Sequence, residues 1–93
     1  MRIVKHTGRF KRDYKREKTG RYARRLDAEL LEAVTLLADD QPLPRRYFDH
    51  SLGGDWNDHR DCHIRPDLVL IYRKPDDATL ELVRLGSHSA LGL

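Results

Sequence analysis

Titratable side chains are concentrated between residues 50 and 74, where the sequence reads HSLGGDWNDHRDCHIRPDLVLIYRK. Three of the five histidines, the only Trp and the only Cys fall in this segment. Asp61 and His63 are two residues apart, so on a β-strand their side chains project from the same face. A carboxylate beside an imidazole can orient the ring and stabilise its charged form, which general acid–base catalysis requires.

Three further residues lie where strands or turns are expected to end. His50 precedes the Gly53-Gly54 turn, Asp67 follows the turn at Pro66, and His88 follows the last expected strand. If these ends meet at one edge of a sheet, the candidate catalytic residues are His50, Asp61, His63, Asp67 and His88. Two imidazoles beside one phosphodiester suit RNA cleavage, because one can accept the 2′-hydroxyl proton while the other protonates the leaving 5′-oxygen. Such cleavage requires no metal and no cofactor.

Other interpretations of the same residues remain open. We expect His59 to be a solvated or capping residue and Trp56 to pack beside the glycine turn. Arg84 on the last strand could clamp a phosphate or pair with a neighbouring acid. The competing enzymatic interpretation is a metal site, because His59 and His63 have a spacing that places ligands together on a helix. This segment is predicted to be a strand, so nothing in the spacing demands a metal.

Basic residues are concentrated at the N-terminal end of the chain. Residues 1–25 contain eleven Lys and Arg against two acidic residues, whereas the rest contains seven against thirteen. A strongly basic region of this kind favours a phosphate-rich partner, although a solvated helix face is the alternative. The candidate residues for binding such a partner are Lys11, Arg12, Lys15, Arg16, Arg24, Arg25 and Arg84.

The length of 93 residues predicts one domain, residues 1–93. The single Cys62 excludes an internal disulfide framework and a Cys-based zinc site, and it is typical of the reducing cytoplasm. No apolar run approaches the roughly 20 residues that span a bilayer, so we expect a cytoplasmic protein without membrane contact.

Two helices and several strands are predicted to position the candidate residues. A strand is expected over residues 2–6, a helix capped by Thr7 over 9–18, and a second helix over 21–38. Basic residues then begin the second helix and acidic residues end it, which is the reverse of what the helix dipole favours. Extended segments follow at residues 47–50, 59–64, 68–72 and 79–85, with a turn at 74–78 and an irregular tail from Gly86.

This order predicts an α+β fold, β-α-α-β-β-β, with two helices on one face of a mainly antiparallel sheet. The other face is expected to be open, which is where a small domain can place a site. In the strand over residues 59–64, alternation puts His59, Asp61 and His63 on one face and Arg60, Cys62 and Ile64 on the other.

The strings DHSLGGDW, HRDCHIRPDLVLIYR and LVRLGSHSAL together resemble YafQ-type toxins of the RelE/ParE superfamily, and the resemblance extends over nearly the whole chain. It implies a RelE-like fold and a toxin of a bacterial type II toxin–antitoxin system that acts as a ribosome-dependent mRNA endoribonuclease. The catalytic positions of the family match the five candidates named above. The resemblance also implies that the histidines act as acid and base while the carboxylates orient them.

The resemblance implies partners as well. A DinJ-like antitoxin with a ribbon-helix-helix DNA-binding part would inhibit the toxin, and operator DNA would be bound only through that complex. The basic surface would dock on ribosomal RNA, with mRNA as the substrate.

Two departures from the family pattern concern aromatic residues. Relatives often carry Trp where this chain has Leu68, and Phe where it has Gly92. Because this fold does not guarantee ribonuclease activity, a non-catalytic RNA- or ribosome-binding module is the alternative function, beside a metal-dependent nuclease.

Overall fold

A five-stranded sheet carries two helices on one face in the computed structural model, which describes residues 1–93. The strands are β1 (Ile3–His6), β2 (His50–Ser51), β3 (Arg60–Arg65), β4 (Leu68–Asp76) and β5 (Thr79–Gly86). The helices are α1 (Gly8–Lys18), α2 (Leu26–Ala38) and α3 (His88–Leu91), and short 3₁₀ turns occur at Arg45–Tyr47 and Gly54–Trp56.

The strand order is β1-β5-β4-β3-β2. β1 is parallel to β5, and every other neighbouring pair is antiparallel. The strands from β3 to β5 follow one another as hairpins, which need only short connections. The predicted α+β fold, with two helices on a mainly antiparallel sheet, is confirmed.

The main core lies between the sheet and helices α1 and α2. Alternation along β4 directs Leu68, Leu70 and Tyr72 towards the helices, where all three are buried. The facing stripe of α2 consists of Leu26, Leu30, Ala33 and Leu37, at helical spacing. Each large apolar side chain buried here contributes about 1.5–3 kcal/mol, so this layer makes the sheet a rigid support.

The opposite face of the sheet is only partly open. Val69 and Ile71 of β4 pack there against Leu91 of α3, with Leu52 and Trp56 at the margin. The expectation of a fully open face is therefore wrong for this part of the sheet, because α3 and the Gly54–Trp56 turn cover it.

The prediction of an irregular tail is also wrong. The Ser87 hydroxyl accepts a hydrogen bond from the Ala90 N–H at 3.1 Å and caps α3, and Gly92 ends the helix in the left-handed conformation, with φ of 73°. An element of four residues is too short to show helical periodicity in a sequence.

Helix α2 begins at Leu26 and not at residue 21 as predicted. Residues 21–25 form turns, so the basic cluster precedes the helix, and Asp27 and Glu29 occupy its first turn. Acidic residues at this end interact favourably with the helix dipole. The unfavourable charge order inferred from the sequence is therefore absent at the start of α2.

Two smaller boundaries also differ from the predictions. The extended segment predicted at residues 47–50 is mostly a 3₁₀ turn, and only His50–Ser51 is a strand. β4 continues through Asp76, so the turn to β5 consists of two residues, Asp77 and Ala78. The N-cap prediction is confirmed, because the Thr7 hydroxyl accepts a hydrogen bond from the Phe10 N–H at 3.0 Å.

A buried carboxylate ties α1 to β5. Asp13 is 3% exposed and accepts hydrogen bonds from Arg84 Nε at 2.7 Å and from the Leu85 N–H at 3.0 Å. Burial alone would raise the pKa of Asp13, but the hydrogen bonds from Arg84 and Leu85 outweigh it, and the pKa is lowered. Of the two interpretations of Arg84, pairing with an acid is therefore the one found, and its side chain faces α1.

Replacing Asp13 with Ala is expected to lower the free energy of unfolding by roughly 3–5 kcal/mol, because it leaves a largely buried guanidinium and a backbone N–H without their partner. Urea unfolding at neutral pH measures the change. Asp77→Ala in the exposed β4–β5 turn is the control, expected within about 0.5 kcal/mol of the wild type. Since the pKa of Asp13 is lowered, its contribution is present above 3.8 and is lost as the pH falls through the folded-state pKa. A loss no larger than that of the control would contradict this assignment.

Candidate active site

Three imidazoles form a row on the face of the sheet away from α1 and α2. His50 lies on β2, His63 on β3, and His88 is the first residue of α3. The ring centroids of His50 and His63 are 6.4 Å apart, and those of His63 and His88 are 5.0 Å apart. The predicted convergence of strand ends is therefore found, and His63 occupies the centre of the row.

Asp67 anchors one end of the row. Its Oδ1 accepts a hydrogen bond from His88 Nδ1 at 2.8 Å and another from the His88 backbone N–H at 3.1 Å. These two bonds lower the pKa of Asp67, so it stays ionised at neutral pH. Because an ionised carboxylate only accepts hydrogen bonds, His88 Nδ1 carries a proton and Nε2 is left for a substrate.

The other end of the row is anchored by the backbone. His50 Nδ1 lies 2.8 Å from the carbonyl oxygen of Phe48, which can only accept, so Nδ1 carries the proton here as well. In neutral His50 the lone pair is then on Nε2. Both outer imidazoles thus have Nδ1 fixed by an acceptor and Nε2 available.

Asp61 is a buried carboxylate beneath this row. It pairs with His50 in the β2–β3 register and is 2% exposed. Its Oδ1 lies 3.0 Å from His50 Nδ1 but lacks the alignment of a hydrogen bond and has no other partner. Burial raises the pKa of Asp61, although the neighbouring imidazoles oppose the shift. Leaving a buried acceptor unpaired costs about 1–3 kcal/mol, which marks Asp61 as a candidate functional group.

His63 is half-buried between the two outer imidazoles. Burial lowers its pKa, and the charges of His88 and His50 add to that effect, while Asp61 opposes it. The central ring is therefore neutral at neutral pH, so one of its two nitrogens is a donor and the other an acceptor.

Phe48 is a residue of this site that the sequence reasoning missed. Its ring contacts His50 edge-on, with centroids 5.1 Å apart, and His63 at 5.6 Å. It remains 58% exposed, and its φ of 47° and ψ of 45° place it in the left-handed region. The sequence carries no signal for it, because the position of the ring depends on a left-handed backbone that the predicted extended segment does not have.

The structure places His59 and Trp56 outside the row. The His59 ring contacts Trp56 edge-on, with centroids 5.3 Å apart, and Trp56 packs at the margin of the Val69 cluster. The packing role expected for Trp56 is confirmed. No group of three or more His, Cys, Asp or Glu side chains is arranged to share a metal ion. Burial raises the pKa of the Cys62 thiol, which faces the opposite side of the sheet.

The basic candidates lie on several surfaces. Lys11 and Lys15 flank a groove between α1 and α2, whereas Arg16 contacts Asp13 at 3.3 Å and Glu17 at 3.2 Å. Arg12 is exposed on α1. A shallow hollow before α2 is lined by basic side chains around the Tyr22 ring, namely Arg21, Arg24, Arg25 and Arg65.

A family model described as "Bacterial toxin of type II toxin-antitoxin system, YafQ" matches residues 2–92. This chain belongs to the YafQ toxin family. The resemblance inferred from the sequence is confirmed. The mRNA interferase toxin YafQ of Escherichia coli K12 is 38% identical over 93 residues, which cover 98% of this chain and 96% of that protein. The putative toxin YafQ of Haemophilus influenzae is 39% identical over 71 residues, covering 73% and 70%.

Solved structures of YafQ toxins have the same fold. YafQ from E. coli BL21(DE3) superposes with a TM-score of 0.80 at 34% identity, covering 98% of both chains. A copper-bound mutant toxin from Helicobacter pylori gives 0.84 at 34% identity, covering 98% of this chain and 99% of that one. The toxin in an E. coli DinJ–YafQ complex gives 0.79 at 34% identity, again covering 98% of both. None of the helices in this YafQ-family chain has the length and apolar composition needed to cross a membrane.

Proposed function

We propose that this YafQ-family toxin is a ribosome-dependent mRNA endoribonuclease that cleaves by acid–base chemistry without a metal. One observation supports the proposal above all: the two outer imidazoles of the row each have Nδ1 fixed by an acceptor, at 2.8 Å in both cases. Their Nε2 atoms are therefore left to exchange protons with a substrate between them. The name mRNA interferase toxin carried by the E. coli relative agrees with this chemistry.

In the proposed reaction His50 is the base and His88 is the acid. Neutral His50 accepts the 2′-hydroxyl proton on Nε2, and the 2′-oxygen attacks the adjacent phosphorus. As the bond from phosphorus to the 5′-oxygen breaks, protonated His88 delivers its Nε2 proton to that oxygen. The products are a 2′,3′-cyclic phosphate and a 5′-hydroxyl end, and proton exchange with water restores both rings.

The remaining candidates support the two outer rings. Ionised Asp67 orients His88 through the 2.8 Å hydrogen bond to Nδ1. Asp61, 3.0 Å from His50 Nδ1, stabilises the imidazolium that forms when His50 takes up the proton. His63 lies between them and donates an N–H to a non-bridging phosphoryl oxygen, where negative charge develops.

The shallow form of the site supports dependence on the ribosome. The three rings of the row are only partly buried on a sheet face, so few protein groups are available to hold a free RNA chain. We propose that the ribosome positions the mRNA and that the basic residues bind ribosomal RNA, where each phosphate contact also makes binding salt-dependent. The proposed contact residues are Lys11, Arg12, Lys15, Arg16, Arg24 and Arg25. Arg84 is omitted because its side chain is both paired with Asp13 and largely buried, whereas Arg16, which also contacts Asp13, remains half exposed.

We also propose that a DinJ-like ribbon-helix-helix antitoxin binds and inhibits this chain in the cytoplasm. The E. coli DinJ–YafQ complex supports this partner. Binding to operator DNA would then occur only through the antitoxin.

Mapping of 5′ ends on one mRNA, free and under translation, tests the proposal. We expect new ends with 5′-hydroxyl groups only where ribosomes translate the message, and none on the same mRNA with its start codon removed. Equal cleavage of both messages would exclude ribosome dependence, and the absence of new ends on either would favour a non-catalytic binding module.

A chelator test addresses the metal. With magnesium held constant to preserve the ribosome, 1,10-phenanthroline is expected to leave the cleavage rate unchanged, because proton transfer alone drives the proposed reaction. The test is informative because a related toxin from H. pylori is described as copper-bound. Loss of cleavage that zinc or copper restores would instead support a metal-dependent nuclease.

A further inference from the structure

The exposed ring of Phe48 lies beside two imidazoles of the histidine row. The ring centroid is 5.1 Å from that of His50 and 5.6 Å from that of His63. A nucleotide whose phosphate reaches these two imidazoles can therefore place its base against the Phe48 ring. An aromatic side chain at such a place can stack on a base of any type, since every base has a π-face.

The backbone of Phe48 is held in an unfavourable conformation. A bulky side chain in the left-handed region, at φ of 47° and ψ of 45°, is a genuine outlier and persists only where the surrounding structure imposes it. Here the Phe48 N–H bonds to the Arg45 carbonyl at 2.9 Å, and the preceding Tyr47 is buried. A residue that is strained and also largely exposed contributes little to the core, so its retention requires another reason.

A hollow beside the ring offers room for a base. It is lined by Pro42, Leu43, Pro44, Arg45, Phe48 and Asp49. The flat proline and leucine surfaces provide apolar contacts, and Arg45 is exposed at the rim, where it can pair with a phosphate. The hollow therefore combines one aromatic face, an apolar wall, one cation and the Asp49 carboxylate, which already accepts hydrogen bonds from Arg60 and Tyr72.

We propose that Phe48 stacks on the mRNA base next to the scissile phosphodiester, in the hollow lined by residues 42–45, and so determines which bases are accepted there. This rests on the proposed ribonuclease function.

Three substitutions of Phe48 separate stacking from other roles. Phe48→Leu keeps an apolar side chain in the same backbone conformation but removes the π-face, and it is expected to lower the cleavage rate about 5- to 150-fold. Phe48→Trp restores a stacking face and is expected to recover most of the rate with an altered distribution of bases at the cleavage point. Phe48→Asn places a residue that tolerates the left-handed region, so it is expected to lower cleavage while raising the melting temperature by roughly 4–8 °C.

The assays are 5′-end mapping on translated mRNA and thermal unfolding of the same preparations. If Leu and Asn variants cleave at the wild-type rate and positions, Phe48 does not contact the substrate and the proposal is overturned. If the Asn variant loses both cleavage and stability, the ring is a packing residue, which also overturns it. Failure of the ribonuclease function itself is distinguishable, because wild-type protein would then produce no new ends at all.

Discussion

Replacing His88 with Ala is expected to slow mRNA cleavage by about 10²–10⁴-fold, because the leaving 5′-oxygen then departs without a proton. His88 Nδ1 donates its proton in a hydrogen bond to Asp67 Oδ1 at 2.8 Å, so Nε2 is the nitrogen that can reach the substrate. His50→Ala is expected to cause a loss of similar size through the other half of the reaction. The measurement is the single-turnover rate on ribosome-bound message with saturating toxin.

A modified substrate distinguishes the two roles. In a message with sulfur in place of the bridging 5′-oxygen at one cleavage point, the leaving group is a thiolate that needs no proton. We expect His88→Ala to cleave this message almost as fast as the wild type, while His50→Ala stays slow because the 2′-hydroxyl still needs its base. Rescue of His50→Ala and not His88→Ala would reverse the assignment.

A fold control accompanies both variants. His50 and His88 are both partly buried, and His88 begins helix α3. Thermal unfolding of each variant must therefore exclude a loss of structure. Exogenous imidazole provides a second control, since a rate that it restores belongs to the missing ring and not to a change in fold. Cleavage at the wild-type rate by both variants would show that neither His50 nor His88 acts as the acid or the base.

The parts of the fold that the sequence predicts are those with a long repeating pattern. The apolar stripe of α2 and the buried run of β4 are each set by many residues, so a single exception does not hide the period. Alternation along β3 is shorter, yet it placed Asp61 and His63 on one face and Cys62 and Ile64 on the other, as found. These elements determine the architecture, which explains why the fold class was correct.

The short elements could not be predicted in the same way. β2 contains two residues and α3 contains four, and tertiary contacts define both. The start of α2 has no side-chain cap, because Arg25 at the N-cap position makes no capping hydrogen bond, so no capping residue in the sequence marks it. The pairing of Asp13 with Arg84 joins residues 71 positions apart, so no local pattern contains it.

In the candidate site, the sequence predicts which types of residue take part, whereas tertiary contacts determine the environment of each. The sequence supplied the histidines and carboxylates, since side chains of these types are the ones that transfer protons. The position of each imidazole proton depends on the acceptor beside it, here a backbone carbonyl for His50 and a carboxylate for His88. The burial of Asp61 and the strained backbone of Phe48 likewise exist only in three dimensions.

Replacing Asp61 with Asn is expected to stabilise the protein while it impairs cleavage. The wild-type carboxylate is 2% exposed and burial raises its pKa, so the ionised form is unfavourable in the fold and a neutral amide removes that cost. Urea unfolding at neutral pH measures the gain. Asp55→Asn, at an exposed carboxylate in the Gly54–Trp56 turn, is the matched control and is expected to change stability by no more than about 0.5 kcal/mol.

The gain should depend on pH in a defined direction. Because the folded-state pKa of Asp61 is raised above 3.8, the folded protein binds the proton more tightly than the unfolded chain does. The penalty of the ionised form therefore appears as the pH rises above 3.8 and is complete once the pH exceeds the folded-state pKa. Asp61→Asn should match the wild type in stability below that window and exceed it at neutral pH.

Cleavage should respond in the opposite sense. Without the carboxylate 3.0 Å from Nδ1, the imidazolium that forms on His50 loses its nearest negative charge. We expect the rate to fall by roughly 10- to 10³-fold, because an opposite charge at this distance is worth about 1.4–4 kcal/mol, while the Phe48 carbonyl still holds the His50 tautomer. If Asp61 served only the fold, Asp61→Asn would lower both the free energy of unfolding and the cleavage rate. If Asp61 had no role, the substitution would change neither. Since only a group retained for the reaction is expected to destabilise the fold and accelerate cleavage, opposite signs in the two assays would identify Asp61 as the positioning and charge-stabilising partner of His50.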